Sequence, residues 1–358
     1  MNLRRAITSI SALIIASTTV AACTSTSAGR GDDKTVTVVA YDSFTPSKEV
    51  LAAFTKQTGI AVKVLTSGDT GELVNKAILT QDQPLGDVLY GVDNTFLSRA
   101  VGAGLFDPYQ ANGLDKIDER FSSLVPGHQV TPVDFGDVCM NYDKAALAKA
   151  GVQPPTSIEE LATPQYAKLT VVENPATSSP GLAFLLATIA KLGDQGAGGW
   201  VQYWSTMRTN GVKVVAGWDQ AWNTEFSGGP GKGARPIVLS YASSPPAAVL
   251  FGPDPKATET PIGVVEDTCF RQVEFVGLLR KARNPKAAQA FIDFTVGQQF
   301  QADLPLNMFV YPVRTGTTLP DVFQKFSLIA KAPLTVTPQR IAANRESWID
   351  TWTATVLK

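Results

Sequence analysis

The chain has 358 residues, 44% apolar and 18% charged, enough for one large or two ordinary packed cores and no composition for disorder. Its 31 Lys and Arg nearly balance 32 Asp and Glu, giving a net charge of −1, so the concentrated basic face that nucleic acid requires is not expected. A single histidine, His128, excludes histidine-rich metal sites and every His-based triad or general base not built on that residue, which argues against a secreted hydrolase or metalloenzyme.

The N-terminus reads Met1-Asn2-Leu3-Arg4-Arg5, followed by an apolar run over 6–22 diluted by Ser and Thr. Two arginines before a short apolar stretch form an export signal, and the stretch is too short and too polar for a stable membrane span. Residues 1–22 are therefore expected to be a signal peptide, and the Ser/Thr/Gly-rich residues 23–34 a flexible tether. Removing residues 1–22, which hold Arg4 and Arg5 and no acid, leaves a net charge of −3. Val20-Ala21-Ala22-Cys23 resembles the lipobox of bacterial lipoproteins, in which the cysteine is acylated and becomes the mature N-terminus; the alternative is an ordinary signal peptide that contains a cysteine. The resemblance implies a globular protein held by lipid on Cys23 at the outer face of the cytoplasmic membrane. Cys139 and Cys269 remain, and in an oxidising compartment such a pair is expected to form a disulfide.

Residues 35–40 (TVTVVA) alternate β-branched side chains and read as a strand; a loop through Tyr41-Asp42-Ser43-Phe44 leads to a helix that begins near Ser47 and is stopped by Gly59. A strand over 60–65, a loop over 67–71, a helix over 72–79, a strand over 87–90 and a loop Gly91-Val92-Asp93-Asn94 before another helix continue the alternation. This pattern predicts an α/β fold with a mostly parallel sheet, in which loops after the carboxyl ends of strands line a ligand crevice. The pattern restarts after residue 135. Strands are expected over 138–142, 170–172, 212–216, 237–240 and 272–276, and helices over 181–192 and 285–297. The glycine-rich residues 228–233 do not follow a strand and read as a surface loop, not a phosphate loop. Residues 338–356 read as a helix whose Trp348 and Trp352, four apart, share a core-facing side. Two α/β units without a dinucleotide-binding glycine fingerprint suggest a two-lobed binding protein that closes on its ligand by hinge motion. The expected lobes are residues 35–135 with 270–358, and residues 136–269, with both Cys139 and Cys269 near the hinge.

Six segments resemble the thiamine-binding periplasmic proteins of ABC importers, in the family's order: Tyr41-Asp42-Ser43-Phe44, Gly91-Val92-Asp93-Asn94, Thr177-Ser178-Ser179-Pro180-Gly181-Leu182, Gly217-Trp218, Leu239-Ser240-Tyr241 with Ser244-Pro245, and Tyr311-Pro312-Val313. The similarity runs from about residue 35 to the C-terminus. It implies the type II periplasmic-binding-protein fold, capture of thiamine or its phosphates for a membrane permease, no cofactor, and a monomer. It also implies that Tyr41, the Asp69–Thr70 loop, Asp93, Ser178, Ser179, Trp218, Tyr241, Ser244 and Phe309 bind the ligand. This chain differs from a family member in lacking a tryptophan after Phe44, in having Phe309 in place of a tryptophan, and in having Ala247 in place of a tyrosine.

The residues themselves allow more than one reading. Thiamine is a fixed thiazolium cation joined to an aminopyrimidine, so its cleft needs aromatic faces, a carboxylate or π-face for the charge, and polar donors for the tail. Trp218 and Tyr241 follow strands and can reach a crevice, or can pack in the core. Asp69 and Asp93 can meet a cation, or can cap helices and turns. Ser178-Ser179-Pro180 reads as a helix N-cap, whose outward N–H groups can also hold a hydroxyl or anionic tail. Alternatives are a ferric-ion, anion or polyamine binder, or an enzyme resembling thiaminase I with Cys139 as nucleophile; the chain has no Tyr-Tyr pair for iron, and a disulfide would remove the thiolate.

Overall fold

Strand β1 (Thr35–Ala40) lies between two parallel neighbours, β2 (Ala61–Thr66) and β3 (Val88–Asp93). The computed structural model describes residues 34–194 and 198–358; the export signal, Cys23 and most of the tether lie outside the described residues. Local chemistry fixes the connections. Ser47 accepts a hydrogen bond from the Val50 N–H to start the helix Lys48–Thr58, and Gly59, at φ 72°, ends it in the left-handed conformation. Asp69 caps the next helix, Thr70–Leu79, which begins two residues earlier than its apolar pattern predicts because the side chain accepts from the Thr70 N–H.

The expected strand over 87–90 runs on to Asp93, so Gly91-Val92-Asp93 is strand and not loop. Gly91 has φ 96° and marks a register shift against the neighbouring strand, while the Tyr41 ring lies where a Cβ would be, at 2.2 Å. Only glycine fits both demands, and the resulting bulge lets the strand continue through turn-like sequence.

The remaining strands are β4 (Phe106–Asp107), β5 (Thr131–Asp143), β6 (Thr170–Glu173), β7 (Lys213–Val215), β8 (Ile237–Tyr241), β9 (Ile262–Leu279) and β10 (Tyr311–Pro312). Their order is β2-β1-β3-β9-β5-β8-β6-β7, with β10 on β5 and β4 on β9. Parallel strands flank each end, and two long antiparallel strands, β5 and β9, join them. β9 is far longer than the predicted segment over 272–276 because its first half pairs with the second half of β5. Between the two halves the register jumps. Val138 faces Phe270 and Met140 faces Val265, so Cys139 alone stands opposite residues 266–269. The Cys139–Cys269 disulfide, with Cα atoms 4.2 Å apart, pins that bulge, and the Thr268 hydroxyl accepts the Met140 N–H at 2.8 Å.

The fold is two-lobed α/β. Its main core runs from the β1–β3 layer through Phe275, Phe291 and Phe300 to the almost wholly buried helix Ser179–Leu192. The C-terminal helix Pro338–Val356 spans both sides of the molecule. Trp352, fully buried, meets Trp204 edge-on at 5.5 Å, and the Arg345 guanidinium sits 5.0 Å from the Phe96 ring centre. Trp348 is buried too, in keeping with the predicted core face. Among the described residues no helix is long and apolar enough to cross a membrane.

The disulfide closes a loop of 130 residues. On the loop-entropy account it constrains the unfolded chain by about 4–5 kcal/mol. Peptide mapping of the denatured, unreduced protein is expected to find neither Cys139 nor Cys269 alkylated, and reduction is expected to lower the denaturation midpoint. Two alkylated cysteines at these positions would reject the bridge.

Candidate functional site

A cleft of about 480 Å³ opens where the carboxyl ends of the strands from both lobes face one another. This volume suits a small organic ligand. Its walls come from the loop after β1 (Tyr41, Ser43, Thr45), the Asp69–Thr70 corner, the N-terminus of the helix at Ser179 and Pro180, the segment with Trp218 and Trp222, Tyr241 at the end of β8, and residues 306–310. Glu274 of β9 reaches it from below.

Asp69 is the corner where the walls meet. One carboxylate oxygen accepts the Thr70 N–H at 2.6 Å and the Ser179 N–H at 3.4 Å, and the other accepts the Trp218 N–H at 3.0 Å. The turn before Trp218 approaches so closely that a Cβ on Gly217 would lie 3.0 Å from the Asp69 carboxylate. Burial raises the Asp69 pKa, and the N–H groups of Trp218, Thr70 and Ser179 with the Ser178 hydroxyl pull it back.

Trp218 is held from several sides. Its indole N–H donates to the Ser240 hydroxyl at 2.9 Å, and the Trp222 ring stacks on it with centres 5.9 Å apart and planes 12° from parallel. A π-turn over Ala221–Glu225 carries Trp222. The glycine-rich loop over 228–233 packs backbone to backbone on that turn, with the Gly231 N–H donating to the Asn223 carbonyl at 2.9 Å. The loop thus shapes the aromatic wall, as expected for a segment that is not a phosphate loop.

The floor is acidic. Tyr41 donates to Glu274 at 2.9 Å, and Tyr90 to Asp134 at 2.8 Å. Asp134 and Glu274 stand opposite each other across the β5–β9 ladder. Burial raises both carboxyls, Asp134 to about 7 and Glu274 well above the ordinary range; the Asp134 charge pushes Glu274 up further, while Tyr90 and Glu274 pull Asp134 back. Glu173, at the end of β6 and 1% exposed, has neither oxygen hydrogen-bonded; burial and the charge of Asp69 push it well up as well.

Of the residues expected in the site, Tyr41, Asp69, Thr70, Ser179, Trp218, Tyr241, Ser244 and Phe309 line the cleft. Asp93 and Ser178 do not. Asp93 ends β3 fully buried, accepting from Thr95 at 2.8 Å, Ser179 at 2.7 Å and Gln272 at 2.9 Å, so it braces the Ser179 corner from behind. Ser178, also fully buried, is the N-cap, accepting the Gly181 N–H at 3.4 Å. Sequence reasoning missed Glu274, Asp219 and Trp222 in the cleft lining. For Trp222 the signal was its spacing of four from Trp218; for Glu274 it was a carboxylate inside an apolar strand.

These raised carboxyls carry a pH dependence of known sign. A carboxyl whose folded pKa exceeds its unfolded one keeps its proton in the native state, so stability falls as pH rises through the folded pKa. Asp69, Asp93, Asp134, Glu173 and Glu274 all shift upward. The ligand-free protein is therefore expected to unfold at a higher temperature at about pH 5.5 than at about pH 8, and Asp134→Asn to flatten that slope. An unfolding temperature that climbs over the same window would mean that these groups are already ionised in the fold.

Residues 83–343 match the model of the bacterial extracellular solute-binding protein family. The chain is 30% identical over 325 residues to the thiamine-binding periplasmic protein of Escherichia coli (strain K12), covering 88% of this chain and 92% of that one. It is 28% identical to the thiamine-binding periplasmic protein of Brucella suis biovar 1 (strain 1330), over 89% and 91% of the two chains. The solved structure of a periplasmic thiamin binding protein superposes with a TM-score of 0.76 at 29% identity, covering 90% of this chain and 96% of that one. With the two-lobed fold and an interlobe cleft, these matches make the chain a member of the bacterial extracellular solute-binding protein family.

Proposed function

We propose that this protein captures thiamine, or one of its phosphates, outside the cytoplasmic membrane and delivers it to an ABC permease. One observation carries the reading. The cleft is lined by the carboxylates Asp42, Asp69, Asp219 and Glu274 among Tyr41, Trp218, Trp222, Tyr241 and Phe309, and by no lysine, arginine or histidine among the described residues. Acids and aromatic faces together suit a flat, permanently charged cation. Thr70 and Ser179, each at a helix N-terminus, direct their N–H groups to Asp69 and their hydroxyls to the Gly91 carbonyl and to Asp93, so they brace the cleft wall. The thiamine-binding relatives in Escherichia coli and Brucella support the same ligand.

Trp222 backs Trp218 with a second indole. Binding has no catalytic step in this reading: Cys139, the nucleophile a thiaminase-like enzyme would need, is fully buried and bonded to Cys269. A ferric ion is disfavoured because, among the described residues, no three His, Cys, Asp or Glu side chains converge as a metal would require. The lobes are residues 35–135 with 270–358, and residues 136–269, hinged where β5 and β9 pass between them and clasped by the C-terminal helix. The protein acts as a monomer.

Trp218 is the residue that senses the cation. A desolvated cation–π contact is worth about 2 kcal/mol, so Trp218→Ala is expected to weaken thiamine binding roughly thirtyfold, and Trp218→Phe less. Calorimetric titration of wild type and Trp218→Ala with thiamine and with an uncharged analogue completes the cycle. Equal losses for both ligands would leave Trp218 as packing alone, and no binding of thiamine by the wild type would reject the reading.

Cys23 carries the lipid anchor. Cys23→Ala is expected to release a soluble protein whose thiamine affinity matches that of the wild type. Retention of this variant on washed membranes would rule the anchor out.

A further inference from the structure

We infer that Glu274 and Asp134 form a proton-sharing carboxyl pair at the cleft floor that seats the ligand's positive charge, so that a cation enters as the shared proton leaves. This inference deepens the proposed capture of a cationic ligand and rests on it.

Four observations carry it. The two residues are direct partners in the antiparallel β5–β9 ladder, a register that brings side chains on one face within reach of each other. Asp134 is fully buried and Glu274 is 6% exposed, with its open side lining the cleft. Each carboxyl accepts one phenol hydroxyl, Tyr41 on Glu274 and Tyr90 on Asp134, and the second Asp134 oxygen is buried without a hydrogen-bond partner. Every ionisable neighbour that acts on Glu274 is an acid or a phenol: Asp134 from β5, Tyr41 from the loop after β1, Asp93 from the end of β3 and Asp69 from the loop after β2, with Tyr90 and Tyr241 beside them.

Two adjacent carboxylates in such surroundings cannot both ionise without a counter-charge, so one proton stays between them. Burial raises both carboxyls, so the pair keeps a proton at a pH where an exposed carboxyl has lost it. A fixed cation resting on Glu274 supplies the missing counter-charge and lowers the pair's pKa. The proton then passes to solvent and the cation takes its place, so charge balances without any other group. A neutral ligand of the same shape gives the proton no reason to leave. Glu274 thus adds a second discrimination between charged and uncharged ligands to the cation–π contact of Trp218.

Proton stoichiometry tests this directly. Titration calorimetry of the full-length protein with thiamine, in buffers of different ionisation enthalpy, is expected to find a proton released on binding, and the release to fall towards zero as the pH is raised past the pair's own titration. A neutral analogue with thiophene in place of thiazolium, which keeps the aminopyrimidine and so its titration, is expected to release none beyond that control. Glu274→Gln and Asp134→Asn, both nearly isosteric, are expected to abolish the release, and Glu274→Gln to weaken thiamine binding roughly tenfold at the higher pH. Thiamine binding without proton release in the wild type, or with unchanged release in both variants, would overturn the inference. Should the wild type not bind thiamine at all, the proposed ligand falls, and ¹³C carboxyl NMR of the ligand-free protein judges the pair by itself. A carboxyl titration above the ordinary range that is lost in the variants and moves to lower pH with excess tetramethylammonium supports the pair. No such titration, or one that tetramethylammonium leaves in place, rejects it.

Discussion

Asp69 accepts N–H groups from three stretches of chain that meet at one point: its own helix at Thr70, the helix at Ser179, and the turn into Trp218. A carboxylate is suited to this because its two oxygens offer several acceptor directions, and charged acceptors make stronger hydrogen bonds than neutral ones. Two of those segments belong to one wall of the cleft and one to the other. The position of the Trp218 ring, and hence the orientation of Trp222 behind it, follows from where Asp69 holds the Trp218 backbone. The helix Ser179–Leu192 is apolar almost throughout, so its packing alone leaves its rotation loosely defined. Hydrogen bonds at its first turn, to Asp69 and to Asp93, fix which residue faces the ligand.

The price of this arrangement is electrostatic. Asp69, Asp93, Asp134, Glu173 and Glu274 are gathered in a region with little water and no lysine, arginine or histidine in the cleft lining. A folded protein avoids such clusters unless protons or a partner neutralise them. The contrast with Asp137 is instructive: it is equally buried, but its carboxylate meets the Arg271 guanidinium at 2.5 Å and the Ala330 N–H at 2.8 Å. The chain therefore can supply an arginine to a buried acid on these strands. At the cleft floor it supplies phenols instead, which satisfy hydrogen bonds while leaving the charge uncompensated. A cation bound at this floor would relieve a field that the empty protein must otherwise bear.

Much of the architecture was legible. Ser47 and Gly59 bracket their helix because capping and left-handed termination are local chemistry, and the 338–356 helix declares itself by periodicity. The cleft loops followed from the rule that ligands bind at the carboxyl ends of parallel strands. Other features depended on distant partners. Gly91-Val92-Asp93-Asn94 has the composition of a turn, and only the approach of the Tyr41 ring and the pairing with β9 reveal it as a bulged strand. The first half of β9 was hidden because residues 266–269 interrupt the apolar run with polar side chains, which the fold absorbs as a bulge opposite Cys139. Glu274 and Asp134 carry no local signature at all. A carboxylate in a strand reads as a solvent-facing position until the opposite strand is known to place another carboxylate beside it.

That bulge has a consequence for descent. Side chains alternate between the faces of a strand, so Glu274 reaches the cleft only in the frame set between itself and the anchored Cys269. Gaining or losing one residue in that interval would turn Glu274 to the opposite face and bring Val273 or Phe275 to the cleft floor, exchanging an acidic floor for an apolar one in a single event. The short interval from Cys269 to Glu274 thus acts as a ruler, whose count decides which side chain meets the cleft.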